Sequence, residues 1–242
     1  MRPTILNTLF APIRSLQGIG PKLAPLFDRL LASQGHEARL IDILLHLPHD
    51  AVDRRLSGRL SDTIAGQSGT FEIRVLAHKP SPPNRARVPY RVFVEDETGD
   101  MALVFFNAQR ARIESILPTG SIRYVSGKIE LFDGHRQMTH PDRVLDAEAY
   151  AKLPPYEPVY GLTAGLYPRI LHKAAQAALT KLPDIPEWID PLLVKREAWP
   201  SFADALKSLH SPRAKENLAP EAPARLRLAY DEIFAGQLAL LL

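Results

Sequence analysis

The side chains with chemical potential in this 242-residue chain are aromatic and cationic rather than catalytic. Phe105 and Phe106 stand side by side at the end of the apolar run from Met101. Successive strand side chains point to opposite faces, so one ring is expected in a core and the other on a surface, where it can stack on a base. Upstream, the loop Lys79-Pro80-Ser81-Pro82-Pro83-Asn84-Arg85-Ala86-Arg87 is stiffened by prolines and carries three positive charges. Arg85 and Arg87 are suited there to phosphate contact. Near the start, Leu16-Gln17-Gly18-Ile19-Gly20-Pro21-Lys22-Leu23-Ala24 matches the helix-hairpin-helix pattern of glycines and apolar residues. Gly18 and Gly20 permit a tight turn whose N–H groups can hold a phosphate, with Lys22 adding charge. A hairpin that merely joins two helices would use the same residues. Arg54 and Arg55 sit in a basic linker that either tracks a phosphate backbone or is simply solvated.

Other chemistry finds little support. His135 and His140, with Asp133 and Asp142, flank a hairpin and fit no specific metal-ligand set, so a surface turn is expected. Ser201, Asp204 and His210 read as a capped helix rather than a triad. The chain has no cysteine, which excludes disulfides, thiolate catalysis and Cys-ligated zinc. No G-x-x-x-x-G-K-[ST] phosphate loop occurs, and Gly127-Lys128 lies in a strand pattern without the rest of that motif. The formal charge of +3 and pI near 9.2 are compatible with a polyanionic partner. Lys and Arg outnumber Asp and Glu by 8 to 5 in residues 1–60 and by 10 to 8 in residues 69–141, but not in 142–242, at 12 to 13. A nucleic-acid surface is therefore expected within the first 140 residues. No apolar run approaches the ~18 residues of a spanning helix, and the N-terminus lacks a signal-peptide layout. A cytoplasmic protein without membrane contact is expected.

The elements that must position these residues follow from periodicity. Residues 4–15 have amphipathic helical spacing, followed by helices from Pro21 to Ser33 and from Leu40 to Leu47. Strands are predicted over 69–80, 89–101 and 101–106, then a helix over 109–117, then a strand over 122–132. Asp133-Gly134 is a hairpin signal into a fifth strand. Three strands, a helix and two strands is the order of an OB-fold. The fold class is therefore α+β: a five-stranded OB-fold barrel with an N-terminal helix-hairpin-helix layer and a C-terminal helical layer. The expected domains are 1–60, helical; 61–145, the barrel; and 146–242, a helical connector opened by Pro154, Pro155 and Pro158. Helices are expected from Pro168 to Leu182, from Ser201 to His210 and from Arg225 to the end. The last stops on three leucines without a cap, as a piece of something longer would.

Laid out in order, seven stretches resemble the N-terminal part of the RecG family of bacterial ATP-dependent DNA helicases. They are Gly18-Ile19-Gly20-Pro21-Lys22-Leu23-Ala24, residues 42–48, Phe105-Phe106-Asn107, Gln137-Met138-Thr139-His140-Pro141, residues 158–166, Leu209-His210-Ser211-Pro212 and residues 225–232. The resemblance implies a wedge domain, built on the OB-fold, that splits the arms of forks and Holliday junctions in recombination and repair. Phe106 would be its stacking aromatic, and the second aromatic of some members falls near Arg110, whose planar cation can stack or grip phosphate. At residues 48–53, Ala51 replaces a ring usual in the family, so no role carries over there. The implied partners are branched and single-stranded DNA and the protein's own motor domains, in a monomer. ATP and Mg²⁺ would serve those motor domains, and this stretch alone should not hydrolyse ATP. A stand-alone single-stranded nucleic-acid binder is the alternative, which leaves the terminal helical layer unexplained.

Overall fold

Apolar side chains recur at every second position through Phe71, Ile73 and Val75 and through Tyr90, Val92 and Val94, and both runs fold as strands with that face buried. The structure, a computed structural model, describes residues 3–32, 36–82 and 88–241. Its first elements are α1 (Ala24–Leu31), α2 (Leu40–Leu45), β1 (Asp50–Asp53), β2 (Ser68–Lys79), β3 (Tyr90–Glu95), β4 (Asp100–Phe105), α3 (Arg110–Ile116) and β5 (Ile122–Phe132). Then come β6 (His135–Thr139), β7 (Arg143–Leu145), α4 (Ala147–Ala151), β8 (Tyr156–Val159), α5 (Pro168–Leu179), α6 (Pro191–Arg196), α7 (Phe202–His210) and α8 (Pro223–Leu241). They form two compact units. One is Asp53–Pro155; the other joins the segment up to Val52 with the segment from Tyr156 onward.

The first of these is a closed barrel of five strands in the order β2–β3–β4–β6–β5, with β5 returning to β2. Closure depends on β2, which pairs with β5 from Ser68 to Arg74 and with β3 from Arg74 to Lys79. Between Val75 and Ala77 its register with β3 slips by one residue, a bulge at Leu76 that bends the strand from one partner to the other. β4 and β6 run parallel, with Ala102 opposite Gln137 and Val104 opposite Thr139. The α3 helix lies between β4 and β5 in sequence, as an OB-fold requires. Asp133 and Gly134 take φ of 52° and 77°, the two positive values of a type I′ hairpin turn, and Phe132 pairs with His135 across it. Phe71, Met101, Leu103, Val125, Ile129 and Met138 are among the side chains that fill the interior. Beyond the five expected strands, β7 adds to the edge of β5.

The second unit is helical, with a two-stranded ribbon of β1 and β8. Phe27 of α1, Ile43 and Leu44 of α2, Leu171 and Ala175 of α5, and Leu206 and Leu209 of α7 share one core. The sequence pattern separates an N-terminal helical region from a C-terminal connector; in the structure their apolar faces close on each other, because neither alone has a second layer to bury against. Two buried polar groups brace this unit, the first across its two segments and the second within the later one. His210 donates from Nε2 to the Leu44 carbonyl at 2.8 Å and accepts the Tyr160 hydroxyl on Nδ1 at 2.9 Å. Arg227 of α8, with no exposed surface, meets Glu187 through both terminal nitrogens, at 2.7 and 2.9 Å, and Asp231 through Nε at 3.0 Å.

The helix-hairpin-helix layer is not seen as expected. Residues 4–15 hold two 3₁₀ turns, Thr4–Leu6 and Ile13–Ser15, instead of one amphipathic helix. Pro12, with no N–H and a ring that clashes with the preceding turn, stops a helix from running through. The next helix begins at Ala24 rather than Pro21, with Pro25 in its first turn. Further along, Ser201 caps α7 by accepting the Asp204 N–H at 3.1 Å, the helix-cap geometry its spacing predicts. Asp190 caps α6, an element the periodicity does not announce.

Candidate nucleic-acid interface

β4 delivers the two phenylalanines to opposite environments. Phe105, paired with Tyr90 across the β3–β4 ladder, is 8% exposed and belongs to the barrel core. Phe106, one residue past the strand, is 44% exposed. Asn107 then takes φ of 51°, a left-handed conformation that asparagine tolerates, and the chain turns away. The strand register thus buries one ring and presents the next.

Beside Phe106 lies His140, 34 residues further along the chain. The Phe106 N–H donates to His140 Nε2 at 3.3 Å, and the two rings sit 5.8 Å apart at 38°. Phe105 meets the same imidazole edge-on, 6.2 Å away at 89°. Beneath them, Tyr90 hydrogen-bonds His78 Nδ1 at 2.9 Å, and His78 Nε2 donates to the Leu117 carbonyl at 2.8 Å. Burial pushes the Tyr90 hydroxyl above its usual range, and the Glu114 carboxylate adds to this while Arg110 opposes it.

The remaining predicted residues are dispersed. Arg110 opens α3, exposed, with its Nε 2.8 Å from Glu114 Oε1 one turn on. Gly18, Gly20 and Lys22 are exposed in the helical unit. Gly18 has φ of 90°, open space surrounds both glycines, and the Gly20 carbonyl accepts the N–H groups of Leu23 and Ala24. Asp28 and Glu37 line the same cleft as Gly20, although Glu37 is paired with Arg14 at 3.1 Å. Arg85 and Arg87 lie outside the described residues. Arg54 is 7% exposed and faces Asp142 at 3.5 Å, and Arg55 is bound to Asp53 at 2.6 Å. Of the two linker arginines, Arg54 is covered and Arg55 stays exposed in its pair with Asp53. Among the described residues no group of three or more His, Asp or Glu side chains is placed to hold a metal ion. No described helix is long and apolar enough to cross a membrane.

Sequence reasoning missed the place of His140 beside the rings, because the contact spans two strands. It also missed the contact of Arg91 with the exposed Phe132 ring, 5.9 Å from guanidinium to centroid. The polar alternation of β3 did signal that Phe93, 37% exposed, points outward with Arg91.

The barrel, with exposed aromatic and cationic side chains on it, defines an OB-fold protein carrying a second, helical unit. No protein-family model matches the chain. Individual proteins do. The ATP-dependent DNA helicase RecG of Acidithiobacillus ferridurans is 26% identical over 234 residues, 96% of this chain and 32% of the relative. RecG of Bacillus subtilis is 28% identical over 231 residues, 93% of this chain and 31% of the relative. A solved structure of RecG bound to a three-way DNA junction shares the fold, with a TM-score of 0.75 at 24% identity, over 96% of this chain and 31% of that one. This chain is therefore similar over most of its length to RecG helicases, as an N-terminal fragment of one would be. It spans about a third of the length of the curated relatives it matches.

Proposed function

We propose that this region is the branched-DNA-binding part of a RecG-type helicase, with the barrel acting as a wedge between the strands at forks and junctions. The observation that carries this reading is Phe106. It is exposed at the end of β4, directly after a buried neighbour, in a fold shared with a RecG whose structure contains a three-way junction. Phosphate contacts hold duplex and fork alike, so they cannot favour a branch. A rigid ring on a barrel surface can, by capping the freed base, at about 1–3 kcal/mol of stacking. Arg85, Arg87 and Lys22, with the turn at Gly18 and Gly20, are proposed phosphate contacts, and Arg110 a further DNA contact. The wider role in recombination and repair, the ATP and Mg²⁺ of a helicase motor, the motor domains as partners and a bacterial cytoplasmic monomer belong to the same proposal.

The test is binding to a three-way junction, a single strand and a linear duplex, read by fluorescence anisotropy. Phe106→Ala should weaken junction binding by about 5- to 150-fold and leave duplex binding nearly unchanged. Equal losses on junction and duplex, or none on either, would remove the wedge role. Neutralising Lys22, Arg85 or Arg87 should flatten the log–log salt slope by roughly 0.7–0.9 for each phosphate released. An unchanged slope after all three substitutions would place the phosphate track elsewhere.

A further inference from the structure

We propose that His140 is the second base-stacking ring of this surface, acting with Phe106 on an unpaired nucleobase at the DNA branch. The proposal rests on the branched-DNA reading above and goes beyond it by naming the second ring. His140 is exposed, yet three contacts restrain it. Its backbone N–H donates to the Val104 carbonyl at 2.9 Å. Its ring packs against the edge-on Phe105 ring at 6.2 Å. Its Nε2 accepts the Phe106 N–H at 3.3 Å. An exposed histidine normally keeps its rotamer freedom and loses it on binding; this one has already lost it, so presenting the ring to a base costs little more.

The hydrogen bond also sets the tautomer. Nε2 is the acceptor, so the proton of the neutral ring resides on Nδ1, which has no partner among the described residues. That N–H is left to donate to a base carbonyl or a phosphate oxygen next to the stacked base. Arg110 is less suited to the role, since Glu114 already holds its guanidinium at 2.8 Å. The backbone points the same way. His140 takes φ of 48°, and this left-handed bend at the end of β6 sets the imidazole against Phe106.

Two substitutions separate stacking from mere support. His140→Asn tolerates the positive φ and keeps an oxygen able to accept the Phe106 N–H, but has no ring. His140→Phe restores a ring without an acceptor. The probe is a three-way junction carrying 2-aminopurine at the branch, with a linear duplex as control and melting temperatures as the fold check. His140→Asn should weaken junction binding by about fivefold or more and reduce 2-aminopurine quenching, with duplex binding unchanged. His140→Phe should recover most of both. His140→Gly, free of strain at this φ, should behave as His140→Asn does. If Asn binds like wild type while Phe is the weak variant, His140 only props Phe106 and the stacking role is wrong; wild-type binding by both overturns it as well. A wild-type chain with no preference for junction over duplex would sink the wedge reading separately. The His140 ring is then read from quenching of 2-aminopurine in single-stranded DNA, and unchanged quenching in the Asn variant refutes it.

Discussion

The two units use their polar and aromatic groups in opposite ways. In the helical unit the groups with the most to offer a ligand are turned inward. Arg227 is fully buried between Glu187 and Asp231, with the Trp188 ring 5.1 Å from its guanidinium, and His210 is closed between Leu44 and Tyr160. In the barrel, Phe106 and His140 are outside, held in place, with one ring nitrogen still to be used. A group whose bonding capacity is met inside the protein stabilises it and binds nothing. A group that is restrained but not saturated is prepared for a partner. The contrast between Arg227 and His140 matters more here than residue type, since both are cations or potential cations on sequence grounds.

That contrast is open to direct attack, beginning where the effect should be largest. Arg227→Ala leaves Glu187 and Asp231 facing a void in partly buried surroundings, and should cost the helical unit about 3–5 kcal/mol. Urea denaturation would show it, and a loss well under 1 kcal/mol would mean the two carboxylates find water instead. Phe105→Ala tests the same division within the barrel. Truncating this core ring should cost about 3–5 kcal/mol, against little for its exposed neighbour Phe106. If the two stabilities come out reversed, Phe105 is the presented ring.

His210 gives a pH test confined to the helical unit. Burial lowers its pKa to about 4, with the nearby His172 and His46 acting in the same direction and the bond to Leu44 against it. In the unfolded chain it titrates near 6.5, so the unfolded state takes up the proton first as pH falls. The stability from keeping it neutral is complete above about pH 6.5 and is lost progressively towards pH 4, on the order of 3 kcal/mol in all. His210→Gln should flatten that acid limb; an unaltered limb would assign it to other groups. The smallest expected effect is at Arg110, whose ion pair with Glu114 is on the surface. Arg110→Ala should leave thermal melting unchanged, and any fall in DNA affinity would then be a binding effect.

Sequence alone determined the barrel's elements and their order. Strand alternation, the Asp133-Gly134 turn and the short helix between β4 and β5 are local signals, each set by side chains within a few residues of one another. The opposition of Phe105 and Phe106 is equally local, since adjacent strand residues must face apart. Tertiary structure alone decided the rest. The bulge at Leu76 shows its purpose only when β2 is seen to divide its pairing between β3 and β5. Arg54 looks like a solvated linker charge until the fold covers it. The shared core of the first and last segments, and the meeting of His210 with the Leu44 carbonyl 166 residues away, join stretches whose local patterns are silent about each other. His140 comes beside Phe106 for the same reason: β6 runs parallel to β4, and a parallel neighbour is fixed by chain closure, not by the residues on either side of it.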